Sequence, residues 1–129
     1  QQGVAIDMPA GPSEVLIIAD KDAHPEFVAS DLLSQAEHGP DSQVILLTDS
    51  LSLSEAVNNA IEIQLSTLSR KQFAEKAIEN SKTIVLKNMK ECINWSDAYA
   101  PEHLIINTIN ADEVAEQIQV AGSIFIGSY

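Results

Sequence analysis

Five short apolar runs constrain this chain more than any other feature. They are Val15-Leu16-Ile17-Ile18-Ala19, Gln43-Val44-Ile45-Leu46-Leu47-Thr48, Thr83-Ile84-Val85-Leu86, Leu104-Ile105-Ile106-Asn107 and Ser123-Ile124-Phe125-Ile126. Each is rich in β-branched residues and continuous rather than alternating, as in a strand buried on both faces. Between them lie segments of helical period. Residues 25–38 open on Pro25, a favoured first helical residue, and run into the stop signal Gly39-Pro40. Residues 53–68 repeat Leu53, Val57, Ala60, Ile61 and Leu65 behind the N-cap candidates Asp49 and Ser50. After a break at Ser69-Arg70, residues 71–80 continue as a helix with Phe73, Ala77 and Ile78 inward. Asn88 caps a further helix reaching about Ala98, and residues 112–120 form the last.

The order β-α-β-α-α-β-α-β-α-β predicts an α/β fold: a mostly parallel sheet with helices on both faces, joined by right-handed crossovers. The expected architecture is a three-layer, Rossmann-like domain. Residues 1–129 read as one such domain, with residues 1–12, which hold Pro9, Gly11 and Pro12, as an extended, linker-like segment. Gln1 stands where an initiator Met would, and Gly127-Ser128-Tyr129 follow the final strand directly. Ligands in open α/β sheets gather beyond the carboxyl ends of the strands. The domain is therefore expected to be incomplete, a fragment of a longer protein with site residues further on.

Charge and composition exclude several classes. Nineteen acids against seven bases give a net charge of −12. Such a surface repels a phosphate backbone, so nucleic acid is not an expected partner. There is no Lys/Arg-rich run to meet an anionic membrane, and no apolar run approaches the roughly 20 residues of a membrane span. The N-terminus shows no secretory signal. Cys92 is the single cysteine; no internal disulfide can form, which fits a cytoplasmic location. Its apolar neighbours Met89, Ile93 and Trp95 mark it as a buried structural thiol rather than a nucleophile. Neither Gly-x-Gly-x-x-Gly nor a P-loop occurs, so no nucleotide-phosphate cradle is expected inside these residues.

Two constellations carry chemistry. Gln35 and His38 lie three apart near the end of a helix and so share a face. A carbonyl oxygen beside an imidazole is half of a zinc site; equally, it is a surface Gln and a His that complements the helix dipole. In Tyr99-Ala100-Pro101-Glu102-His103-Leu104, Pro101 ends a helix and leaves Glu102 and His103 at the junction with a strand. The carboxylate can activate water while the imidazole moves protons near neutral pH. Adjacent side chains on extended backbone point to opposite faces, so the two can share a substrate only if the junction is twisted. Otherwise they are two solvated polar residues behind a proline. Ser13 is a turn residue or a substrate contact, and His24 an exposed turn residue. Asp20 and Asp22, after the first strand, allow a receiver-like regulatory domain, although no acid follows the third strand. A generic protein-interaction domain is the remaining alternative.

The blocks Asp7-Met8-Pro9-Ala10-Gly11-Pro12-Ser13-Glu14-Val15 and Ala29-Ser30-Asp31-Leu32-Leu33-Ser34-Gln35-Ala36-Glu37-His38-Gly39 resemble the histidinol dehydrogenase family. Ala-Pro-Glu-His-Leu at 100–104 and Ala-Gly-Ser-Ile-Phe-Ile-Gly at 121–127 are similar to it too, in the family's order. The resemblance implies oxidation of L-histidinol to L-histidine through an aldehyde-level intermediate, the last step of histidine biosynthesis. NAD⁺ accepts hydride in both oxidations and Zn²⁺ occupies each site. Gln35 and His38 match zinc ligands; Ser13, Gln35, His38 and His103 match substrate-holding positions; Glu102 and His103 match the acid–base pair. The family enzyme is a much longer homodimer. Its NAD-binding residues would precede Gln1. A Pro-Glu-Ser-x-Gly-Asp-Tyr motif bearing a third ligand would follow Tyr129, and a further His would come from the partner subunit. The fragment alone is expected to be inactive. Asp97 stands where the family usually has Asn, which removes an NH₂ donor there.

Overall fold

The structure, a computed structural model, describes residues 14–36, 43–66 and 81–127. Five strands and four helices lie within them: β1 (Glu14–Ala19), α1 (Pro25–Ala36), β2 (Gln43–Thr48), α2 (Leu51–Leu65), β3 (Ser81–Val85), α3 (Met89–Tyr99), β4 (His103–Asn107), α4 (Ala111–Gln117) and β5 (Ser123–Ile126). The strand order is β3-β2-β1-β4-β5. Every pairing among the described residues is parallel, in keeping with the expected sheet. The chain winds outward from β1 through β2 to β3, then crosses back to β4 and β5. This is the doubly wound arrangement, with its switch point between β1 and β4.

Strand alternation separates two cores. Val15, Ile17, Ala19, Val44 and Leu46 point to the face covered by α1 and α2, where Val28, Leu32, Leu53 and Val57 meet them. Leu16, Ile18, Ile45, Leu47, Leu104 and Ile106 point the other way, toward Cys92 and Ile93 of α3 and Val114 of α4. Each fully buried Leu or Ile contributes about 1.5–3 kcal/mol by leaving water. β1 is buried on both faces along its described side chains, as the apolar run demanded. The edges depart from that expectation: Val85 of β3 and all of β5 are exposed. An edge strand has one neighbour and less cover, whatever its composition.

Helix starts follow their caps. The Ser50 hydroxyl accepts from the Leu53 N–H at 3.1 Å, and the Asn88 side chain accepts from the Glu91 N–H at 2.9 Å. Glu91 in turn accepts from the Lys87 N–H, one residue ahead of the cap, at 3.1 Å. α4 ends at Gln117, short of the expected 120, with Ile118 already extended. The physical reason is Asp97. Its Oδ1 accepts the backbone N–H groups of Gln119 and Val120, each at 3.0 Å, drawing that stretch away from the helix and onto α3. The expected helix at 71–80 and the linker at 1–12 lie outside the described residues.

Candidate active site

β4 begins one residue earlier than its apolar run, at His103. Its register places His103 beside Val15 of β1 and Ser123 of β5. The imidazole therefore stands at the amino edge of the sheet, on the same face as Val15, Ile105 and Phe125. These four line an open hollow of about 300 Å³. The rings of His103 and Phe125 are 6.1 Å apart and tilted by 40°. Nδ1 of His103 is buried without a hydrogen-bond partner among the described residues.

Glu102 precedes the strand in a bend, and the backbone there is twisted. Ala100 ends α3 in the left-handed region (φ 55°, ψ 63°), with its N–H on the Ser96 carbonyl at 2.8 Å. Pro101, buried, turns the chain into β4. As a result Glu102 does not point to the face opposite His103: its Oε1 lies 3.8 Å from His103 Nε2. The pairing required for joint acid–base work is present, just outside hydrogen-bond reach and open to solvent. Catalytic contacts commonly tighten only around substrate.

Two further features hold this bend. The Pro101 carbonyl accepts the Gly122 N–H at 3.1 Å, and the Glu102 carbonyl accepts the Ser123 N–H at 3.0 Å. On the other flank, the Tyr99 hydroxyl donates to Gln43 Oε1 at 2.7 Å while its ring stacks on Trp95 at 5.2 Å. Neither Gly122 nor Gln43 stood out in the sequence. A glycine immediately ahead of a strand, inside the family-like block at 121–127, was the available signal for the first.

The remaining candidates divide. Gln35 belongs to α1, which runs back from the carboxyl edge and so ends toward the edge where β4 starts. Its side chain, with Ser13 and His38, lies outside the described residues. His24 is exposed, its ring edge-on to Phe27 at 5.4 Å. Cys92 is fully buried, and burial, then the negative charges of Asp49 and Glu91, push its thiol up to about 12. It is structural, as its apolar setting required.

The carboxyl edge carries a second cleft of about 500 Å³, lined in part by Asp20, Asp22 and Asp49. A receiver-like reading would want such acids. Yet both Asp20 oxygens hold backbone: Oδ1 takes the Asp22 N–H and Oδ2 the Ile109 N–H, each at 3.0 Å. The strand order also differs from the receiver arrangement 2-1-3-4-5.

Comparison with known proteins decides between these readings. A family model described as histidinol dehydrogenase matches residues 1–129. The chain belongs to the histidinol dehydrogenase family. It is 59% identical over 126 residues to histidinol dehydrogenase of Shewanella oneidensis, covering 98% of this chain and 29% of that one. To the Legionella pneumophila protein it is 54% identical over 127 residues, covering 98% and 30%. A crystal structure of histidinol dehydrogenase from Elizabethkingia anophelis superposes with a TM-score of 0.87 at 53% identity, over 95% of this chain and 28% of that chain. The chain thus spans about three tenths of the length of the curated histidinol dehydrogenases it matches. The receiver-like and interaction-domain alternatives give way to membership of the histidinol dehydrogenase family.

Proposed function

We propose that the chain is the part of an NAD-dependent, zinc-requiring histidinol dehydrogenase that carries the acid–base pair and two zinc ligands. The parent enzyme would oxidise L-histidinol to L-histidine in two hydride-transfer steps. The observation that carries this reading is the approach of Glu102 to His103 at 3.8 Å beside an open hollow, in a chain of this family.

The donor chemistry fits zinc in part. Gln35 offers a carbonyl oxygen and His38 an imidazole nitrogen. No group of three or more His, Cys, Asp or Glu able to hold a metal occurs among the described residues. The remaining ligands would come from elsewhere in a homodimeric parent enzyme, as would the NAD site. When bound, zinc would supply a Lewis-acid template for the substrate, and NAD⁺ would supply the hydride acceptor.

The residues of this chain then share the proton work. Ser13, Gln35, His38 and His103 hold the substrate. His103 takes the hydroxyl proton as hydride leaves the carbinol carbon, giving the aldehyde. Glu102 takes a proton from water as the water oxygen bonds to the aldehyde carbon, while protonated His103 returns its proton to the carbonyl oxygen, giving the hydrate and freeing the imidazole. His103 takes the hydrate's hydroxyl proton as the second hydride departs, leaving the acid. A cytoplasmic location follows from the biosynthetic role; no described helix is long and apolar enough to cross a membrane.

The test uses the full-length enzyme and resolves the two oxidations by single-turnover kinetics. His103→Asn should slow both steps. Glu102→Gln should slow mainly aldehyde-to-acid conversion; equal loss in both steps would refute the division of labour.

A further inference from the structure

The connection between α4 and β5 lies against the bend that presents Glu102. It is fixed to α3 at one end, where Asp97 Oδ1 accepts the N–H groups of Gln119 and Val120. It is fixed to the bend at the other, where the carbonyls of Pro101 and Glu102 accept from Gly122 and Ser123. The two backbones approach so closely that a Cβ on Gly122 would sit 2.6 Å from the Glu102 carbonyl oxygen, 3.3 Å from its carbon and 3.4 Å from its Cα. These are backbone atoms, with no flexible end to give way. Any side chain at 122 must displace the Glu102 peptide or the strap itself.

We propose that Gly122 is a positioning residue of the active site. By lacking a side chain it lets the strap clamp the Glu102 peptide, and so aims the carboxylate toward His103. Asp97 anchors the same strap from its far end. His103 is also held by the β4 ladder to Val15 of β1, on the side of β4 away from the strap. Displacement at 122 therefore falls on the carboxylate more than on the imidazole. This inference rests on the reading that Glu102 and His103 do the acid–base work.

The test is a double-mutant cycle in the full-length enzyme with both oxidation steps resolved. A misplacement near 1 Å costs on the order of 100-fold in rate. Gly122→Ala should thus lower the aldehyde-to-acid step about 10- to 100-fold, spare the first oxidation, and leave KM for histidinol near its original value. In a Glu102→Gln background the same change should add little, because the group it acts through is already gone. Equal losses in both backgrounds, or in both steps, would overturn the proposal while leaving the acid–base pair standing. Full activity of Glu102→Gln alone would instead overturn the pair and the proposal with it. If Gly122→Ala does not yield folded enzyme, Asp97→Ala must give the same step-selective loss and Asp97→Asn, which keeps the acceptor oxygen, must restore it. An even loss in both steps from Asp97→Ala counts against the proposal.

Discussion

The Asp20 carboxylate reaches across the switch point of the sheet to the Ile109 N–H, 3.0 Å away. One side chain thereby ties the turn after β1 to the turn after β4, while its other oxygen closes the local turn through the Asp22 N–H. Replacing Asp20 by Ala removes both acceptors. The expected loss is about 1–2 kcal/mol in urea unfolding, at the modest level of partly solvated hydrogen bonds. Asp20→Asn keeps one acceptor oxygen and should lose about half as much. No change in either variant would show that the bridge does not form in solution.

Cys92 makes stability fall in alkali. Its folded thiol titrates at about 12 against an ordinary 9.0. Below 9.0 the thiol is protonated in both states and has no pH-dependent effect. Between 9.0 and about 12 the unfolded thiol ionises while the buried one stays neutral, so unfolding releases a proton and becomes easier. Urea unfolding from pH 8 to 10.5 should show this decline, and Cys92→Ser should flatten it. The native thiol should react with a disulfide reagent only as fast as the fold opens.

Ala100 occupies a left-handed conformation that favours glycine, and it does so directly before a proline. Ala100→Gly should hold or raise the melting temperature, because relief of strain of about 1 kcal/mol offsets the added chain entropy. Ala100→Val should lower stability by about 1–2 kcal/mol, as a β-branched residue tolerates this region worst. A Val variant as stable as the parent would contradict the backbone geometry at the Glu102 bend.

Zinc should bind the isolated 129-residue chain weakly. Two neutral donors without a carboxylate or thiolate leave the ion's charge unbalanced. Calorimetric titration at pH 7.5 is expected to find no sub-micromolar site. A tight site would mean that this segment alone supplies a complete ligand set. The isolated chain is likewise expected not to turn over histidinol.

The sheet was legible because its central strands must be apolar on both faces. That requirement writes uninterrupted runs such as Val15 to Ala19 and Val44 to Leu47 into the chain. Edge exposure was not legible, since Ile124-Phe125-Ile126 reads like any buried run and only the strand order makes it a rim. Nor was the early end of α4, which a long-range carboxylate imposes from 22 residues away on Asp97. The approach of Glu102 to His103 was half visible. Glu102 and His103 advertise their chemistry, but their shared side depends on a left-handed alanine that no residue type announces. Gly122 was silent because its meaning lies in the residue it faces, not in itself.

The ladder between Val15 and His103 carries a wider consequence. The imidazole inherits its aim from the central, fully covered strand β1, whereas the carboxylate hangs from a corner held by a handful of hydrogen bonds. One member of the pair is cast with the frame; its companion is mounted on an adjustable bracket. A change at the corner can retune the second while the frame still holds the first.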